Sequence, residues 1–114
     1  VNFVVTPRQY WNTGALIREC FEKLGAHIVS CHAKDIVLHH QAALHFDEIL
    51  PGEGQLDYRT FLSELDRLPD DVPLMLEHLP DPDYARARDH IFAVGDEIGV
   101  GFTGRGGQTP AAAG

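Results

Sequence analysis

Three short apolar runs, residues 1–5, 27–33 and 72–76, alternate along this chain with three stretches of helical periodicity. Strands that alternate with helices pair in parallel through crossovers, because each helix must return the chain to the same end of the sheet. The order reads β-α-β-(long loop)-α-β-α, with no internal repeat beyond that alternation. A complete eight-stranded α/β barrel needs about 250 residues, so in a barrel the 114 residues would supply less than half of the fold. The chain opens inside an apolar run, Val1-Asn2-Phe3-Val4-Val5, which reads as the end of a buried strand and as the mark of a truncated chain.

Local signals bound the elements. Thr6-Pro7 stops the first run, and Asn12 or Thr13 can cap a helix striped by Leu16, Cys20, Phe21 and Leu24. Gly25 is placed to supply a left-handed C-terminal residue. Residues 36–56 read as a long connection holding His39, His40, His45 and the Pro51-Gly52-Glu53-Gly54 turn; loops of that length usually carry function or are disordered. Asp57 can cap the next helix, whose stripe is Tyr58, Phe61, Leu62, Leu65 and Leu68, and Pro69-Asp70-Asp71 ends it. Tyr84, Ala87, Ile91, Val94 and Ile98 mark the last helix, stopped at Gly99. Residues 1–100 form the folded unit in this reading. Residues 101–114, rich in Gly, Pro and Ala, form a disordered tail.

Seventeen acidic against nine basic side chains give a formal charge of -8, and no Lys/Arg cluster is present to meet a phosphate backbone. Nucleic acid is therefore not expected as a partner. Nor is a membrane, since every apolar run falls far short of the roughly 20 residues of a span. Cys20 and Cys31 are too few for a disulfide scaffold and sit in apolar periodic segments. They read as buried free thiols, which fits a reducing cytoplasm.

Side chains alternate across a strand, so Ile28, Ser30 and His32 share one face while Val29, Cys31 and Ala33 share the other. The first face turns polar toward the C-terminal end, as a barrel interior does where it opens on an active site. His32 ends one apolar run and Glu77 ends the next. Nitrogen and oxygen donors on neighbouring strand ends suit a divalent metal; equally, His32 can bond a neighbour and Glu77 can open a solvated loop. Lys34, on the face of His32, could meet a substrate oxygen or pair with Asp35 or Glu53. His39, His40 and His45 read as exposed loop residues, Glu53 as part of its turn, and His78 as a hydrogen-bonding group near the site. Tyr10-Trp11 is expected to pack over the first helix.

Taken together, Ser30-Cys31-His32-Ala33-Lys34-Asp35, Pro51-Gly52-Glu53-Gly54 with Leu56-Asp57-Tyr58, and Leu74-Met75-Leu76-Glu77-His78 resemble the C-terminal part of the xylose isomerase-like sugar isomerases and epimerases. The resemblance covers about residues 1–100. It implies the last three βα units of a TIM barrel, with about three parallel strands. It also implies a divalent ion (Mn, Mg, Co or Zn) held by His32 and Glu77, with two further ligands, a Glu and an Asp, upstream of Val1. Asn2 and Lys34 would bind substrate, and Glu77 would be a catalytic carboxylate as well as a ligand. In such a family the ion chelates adjacent carbonyl and hydroxyl oxygens of a sugar or sugar phosphate and stabilises an enediolate as the α-proton leaves. The isolated chain, with half of the ligands, should be inactive. Open strand edges would allow a homo-oligomer. Two rivals remain: a non-catalytic barrel remnant that binds a partner chain, and an abasic-site endonuclease of the same superfamily. The endonucleases carry an Asp-x-His pair before the Gly-Glu-Gly turn, where this chain has His45-Phe46-Asp47-Glu48-Ile49-Leu50-Pro51.

Overall fold

Asp57 starts the helix around which the chain is organised. In the computed structural model, which describes residues 3–39, 45–103 and 105, its carboxylate accepts hydrogen bonds from the Thr60 amide (3.0 Å) and hydroxyl (2.7 Å). This satisfies one of the free N–H groups that any helix start leaves and sets the register of α3 (Tyr58–Leu65). That register buries Tyr58, Phe61 and Leu62 on one face. Helix α4 (Asp81–Ile98) has Asp81 and Asp83 in its first turn, where negative charge meets the positive end of the helix dipole. It ends at Gly99 with φ +80°, the left-handed residue that glycine supplies without steric cost. Helix α2 (Thr13–Leu24) has no cap from Asn12. Instead the buried Thr13 hydroxyl donates to the Gln55 carbonyl (3.1 Å) and accepts from the Asp57 amide (2.9 Å), fastening the start of α2 to the start of α3.

Strands β1 (Cys31–Ala33) and β4 (Leu74–Leu76) pair in parallel, with Cys31 opposite Leu74, His32 opposite Met75 and Ala33 opposite Leu76. Helix α3 lies within the crossover that a parallel pair requires. One face of the pair, Cys31, Ala33, Leu74 and Leu76, packs on a core made by Ile17, Tyr58, Phe61, Leu62, Ile91 and Val94 from the three long helices. The period of two puts His32 and Met75 on the other face.

An antiparallel hairpin, β2 (Asp35–His39) and β3 (His45–Ile49), follows β1 directly. Ile36, Leu38 and Phe46 on one face of it form a second core with Val4, Tyr10 and Leu16. Tyr10 belongs to a short helix, α1 (Pro7–Tyr10), closed by a capping box: Thr6 Oγ1 accepts from the Gln9 amide, and Gln9 Oε1 accepts from the Thr6 amide.

The mixed α/β character and the three helices expected from their stripes are present; several finer expectations are not. There are two parallel strands among the described residues, not three. Residues 3–5 form no strand; the segment is held by burial of Val4 and by the Val5 amide, which donates to Gln9 Oε1 at 2.8 Å, with Phe3 and Val5 exposed. Val1 and Asn2 lie outside the described residues. The run expected from residue 27 narrows to Cys31–Ala33, because a 3-10 turn, Gly25–His27, continues α2. Gly25 is accordingly right-handed (φ -51°), not the left-handed terminator expected. The connection read over residues 36–56 contains the hairpin, whose exposed face hides its strand character. At the start of the expected tail, Phe102 packs on the core and against Phe92, with ring centroids 5.2 Å apart. Arg105 pairs with Asp96 at 2.6 and 3.1 Å and lies over Phe92; residue 104 and residues 106–114 lie outside the described residues. Among those residues, no helix is long and apolar enough to cross a membrane.

Candidate functional site

Ala33 opposite Leu76 is the last pair of the parallel ladder, so Lys34 and Glu77 leave the two strands side by side. Alternation along the strands puts their side chains on the face of His32 and Met75. There the groups converge: His32 Nδ1 lies 2.9 Å and Lys34 Nζ 2.8 Å from the same oxygen, Glu77 Oε1. Lys34 Nζ also lies 3.2 Å from Oε1 of Glu48. His78 Nδ1 is 3.4 Å from the other Glu48 oxygen. The cluster thus holds two carboxylates, one ammonium and two imidazoles.

The chain is built to hold it. Tyr58, buried at the start of α3, donates its hydroxyl to the Lys34 carbonyl at 2.5 Å. Burial, reinforced by the nearby Asp35 carboxylate, pushes the Tyr58 phenol far up, so it stays a donor. Asp35, fully buried, points the opposite way from Lys34 and gathers the following loop. Its Oδ2 accepts from the amides of Gly52 (2.8 Å) and Gly54 (3.1 Å), and its Oδ1 from those of Leu56 (2.8 Å) and Ile36 (2.9 Å). A side chain on Gly54 would put a Cβ 2.4 Å from both Asp35 Oδ1 and the Ile36 carbonyl, so only glycine lets the loop close on the carboxylate. On the other strand the chain leaves β4 through His78 at φ +60°, a left-handed conformation uncommon outside glycine, and so turns away directly behind Glu77.

Charge follows geometry. The hydrogen bond from Lys34, then that from His32, outweighs the small opposing effect of desolvation and takes the Glu77 pKa down to about 2. The same pairing with Glu77 raises the Lys34 pKa, against a smaller desolvation effect. At Glu48 burial acts upward, but Lys34 and His78 together prevail and the net shift is downward. Lys34 is the most covered member, its side chain 15% exposed against 28% for Glu77 and 41% for His32. It lines two cavities of about 150 Å³ each. One lies among Val4, Leu16, Cys20 and Phe21, with His32 on its wall; the other is bounded by Glu48, Glu77, His78 and Pro80. A wider groove of about 490 Å³ lies at the opposite end of β4, with Leu68, Pro69, Phe92 and Phe102 on its walls, and shares no residue with the cluster.

Of the residues singled out in the sequence, His32, Lys34, Glu77 and His78 are brought together. Lys34 pairs with neither Asp35 nor Glu53. Asp35 is taken up by backbone amides, and Glu53 pairs with Arg86 at 2.7 Å. Asn2 lies outside the described residues, as does His40. His39 and His45 stand opposite each other on the hairpin, each 2.9 Å from Asp47. Glu48 was not foreseen, because it reaches the site through hairpin pairing opposite Ile36 and nothing in its own neighbourhood marks it.

The donor set decides how far a metal fits. His32 and Glu77 offer one nitrogen and one oxygen at a spacing that two ligands of one ion can share, but the oxygen already faces an ammonium. Among the described residues no group of three His, Cys, Asp or Glu side chains could hold an ion. The pair fits half of a coordination sphere, and the described residues do not supply the other half. No protein-family model, curated protein or solved structure matches the chain.

Proposed function

We propose that this chain is the C-terminal portion of a divalent-metal-dependent, xylose isomerase-like TIM barrel that isomerises or epimerises a sugar or sugar phosphate in the cytoplasm. The observation that carries the reading is the convergence of His32, Lys34 and Glu77 on one face at the C-terminal ends of two adjacent parallel strands. That is the end of a parallel α/β unit where active sites are built. His32 and Glu77 would hold the ion together with upstream residues, and a bound ion would supply Lewis-acid stabilisation of developing negative charge. In this reading Glu77 would take a proton from a substrate carbon. While Lys34 holds it, that carboxylate is a weak base, so proton transfer calls for the ammonium to move aside. Lys34, once displaced, is a cation at the mouth of the site, within reach of a substrate oxygen.

The test is made in a longer polypeptide that carries this chain behind its upstream strands. With a panel of aldoses, ketoses and their phosphates in D2O, turnover should place deuterium at the exchanging carbon. Glu77→Gln, which keeps the shape and removes the charge, should lower turnover by about 100-fold or more. Unchanged turnover of Glu77→Gln at saturating Mn or Mg would refute the role given to Glu77. A barrel remnant that binds a partner chain has one observation in its favour: within the described residues each strand of the β1–β4 pair has a single neighbour, leaving both outer edges open. A longer polypeptide without activity on any sugar would favour that reading.

A further inference from the structure

The groove at the N-terminal end of β4 encloses about 490 Å³, a volume within the roughly 300–1,000 Å³ of ordinary ligand pockets. Leu65, Leu68, Val72, Leu74, Phe92 and Phe102 give it apolar walls, each only partly buried. The walls are formed in advance. Phe102 packs on the core and on Phe92, and Arg105, tied to Asp96, lies 4.6 Å over the Phe92 ring. Gly95 lets the chain close here, because a Cβ on it would lie 2.8 Å from the Phe102 ring and 2.9 Å from the Val100 carbonyl.

Charge at this groove has one sign. Asp66, Asp70 and Asp71 stand exposed on its lip. Among the described residues none of these three carboxylates has an ion-pair or hydrogen-bond partner. The C-terminal ends of α3 and α4 both reach the groove, since Asp66 is the C-cap of α3 and Val100 follows the C-cap of α4. Helix C-termini carry partial negative charge that a Lys or Arg ordinarily offsets, yet neither helix has a basic residue in its last turn. Arg67 is turned to Glu64 at 3.3 Å and Arg105 to Asp96 at 2.6 Å.

We infer that the groove is a docking site for a basic amphipathic peptide segment of a partner protein. Its apolar side chains seat on the Phe92 and Phe102 wall, and its Lys or Arg side chains meet Asp66, Asp70 and Asp71. A second copy of this chain does not suit the groove: at a formal charge of -8 and without a Lys/Arg cluster, two copies repel. A nucleic acid would bring phosphates to the same carboxylates. The groove shares no residue with the strand-end cluster, so this inference goes beyond the proposed function, and either can fail without the other.

The experiment titrates the 114-residue chain into a fluorescein-labelled Lys-Leu-Arg-Leu-Lys-Phe-Arg peptide, followed by anisotropy, and maps the site by amide NMR shifts. The parent sequence is compared with Asp66→Asn/Asp70→Asn/Asp71→Asn. A control, Glu19→Gln/Asp89→Asn/Glu97→Gln, changes net charge equally at exposed carboxylates outside the groove. Loss of three exposed charge pairs should weaken binding on the order of tenfold in the groove variant. The control should lose less than about threefold, the long-range part that salt screens. A peptide with serine for its leucines and phenylalanine should lose most of its affinity, and shifts should centre on Leu68, Val72 and Phe102. No binding of the basic amphipathic peptide would overturn the proposal. So would equal weakening in the two triple variants, undiminished binding of the serine peptide, or shifts centred elsewhere.

Discussion

Replacing Asp35 should be among the most damaging single changes in this chain, and the damage should be centred on the loop that follows β3. The carboxylate is 0% exposed and accepts four amides, two on each oxygen. Hydrogen bonds to a charged group contribute roughly 1.5–3 kcal/mol each, and a buried amide stripped of its acceptor costs about 1–3 kcal/mol. The Ile36 amide is local, so the three bonds that gather Gly52, Gly54 and Leu56 set the scale. At the low end they sum to about 4–5 kcal/mol. Water entering the partly buried loop would offset some of this, and Asp35→Ala should cost about 3–5 kcal/mol. That is a large share of the roughly 5–15 kcal/mol by which a domain of ordinary stability is folded. Asp35→Asn separates acceptor loss from cavity formation: it keeps the volume and one oxygen but turns the other into a donor facing two amides. It should cost about 2–4 kcal/mol and not restore the parent stability. Urea unfolding gives the totals, and amide hydrogen exchange locates them: Gly52, Gly54 and Leu56 should lose protection before the amides of α3. A cost below about 1 kcal/mol for Asp35→Asn, or unchanged protection at Gly54 and Leu56, would refute the account of the loop.

Two further outcomes are expected. Gly54→Ala should destabilise by at least about 2 kcal/mol in urea unfolding, since the added Cβ would lie 2.4 Å from Asp35 Oδ1 and the Ile36 carbonyl; an effect within about 0.5 kcal/mol would mean the loop has another way to close. The Glu77 carboxylate, held down to about 2 first by Lys34 and then by His32, should titrate by NMR near that value in the parent sequence. In Lys34→Met it should rise toward the ordinary 4.5. Because its folded pKa lies below the unfolded one, Glu77 stabilises the fold fully above about 4.5 and loses that contribution as pH falls toward 2. Lys34→Met should flatten this part of the acid limb of stability, and a limb of unchanged shape would count against the pairing.

What could be read from the sequence follows from how locally each signal is encoded. Helix α3 announces itself by a cap and a stripe, Asp57 with Tyr58, Phe61 and Leu62, and α4 by its stripe and Gly99, so both are where the sequence puts them. His32 and Glu77 were legible as a pair because each ends an apolar run, and runs of this kind in a βαβ order end on the same edge. The hairpin was not legible. His39, His45, Asp47 and Glu48 interrupt its apolar pattern, and its two strands are defined by each other rather than by either sequence. Gly25 failed as a terminator because the chain tightens into a 3-10 turn there, which a right-handed glycine permits. Asp35 and Glu48 were missed for one reason: their partners lie 14 to 30 residues away, with the exception of the adjacent Ile36 amide.

The adjacency of Lys34 and Asp35 links the stability of the fold to its chemistry. Successive side chains leave an extended backbone on opposite sides, so one residue can anchor the chain while the next presents a reactive group. Asp35 does the first, since its bonds to the Pro51-Gly52-Glu53-Gly54 loop and the Tyr58 bond to the Lys34 carbonyl fix the backbone between them. Lys34 does the second, with an ammonium that rests between two carboxylates of comparable distance. Had the backbone at residue 34 been loose, the ammonium could drift into solvent and leave Glu77 and Glu48 to repel each other. A fixed root below a head shared between two carboxylates is what residues 34 and 35 supply within a single dipeptide.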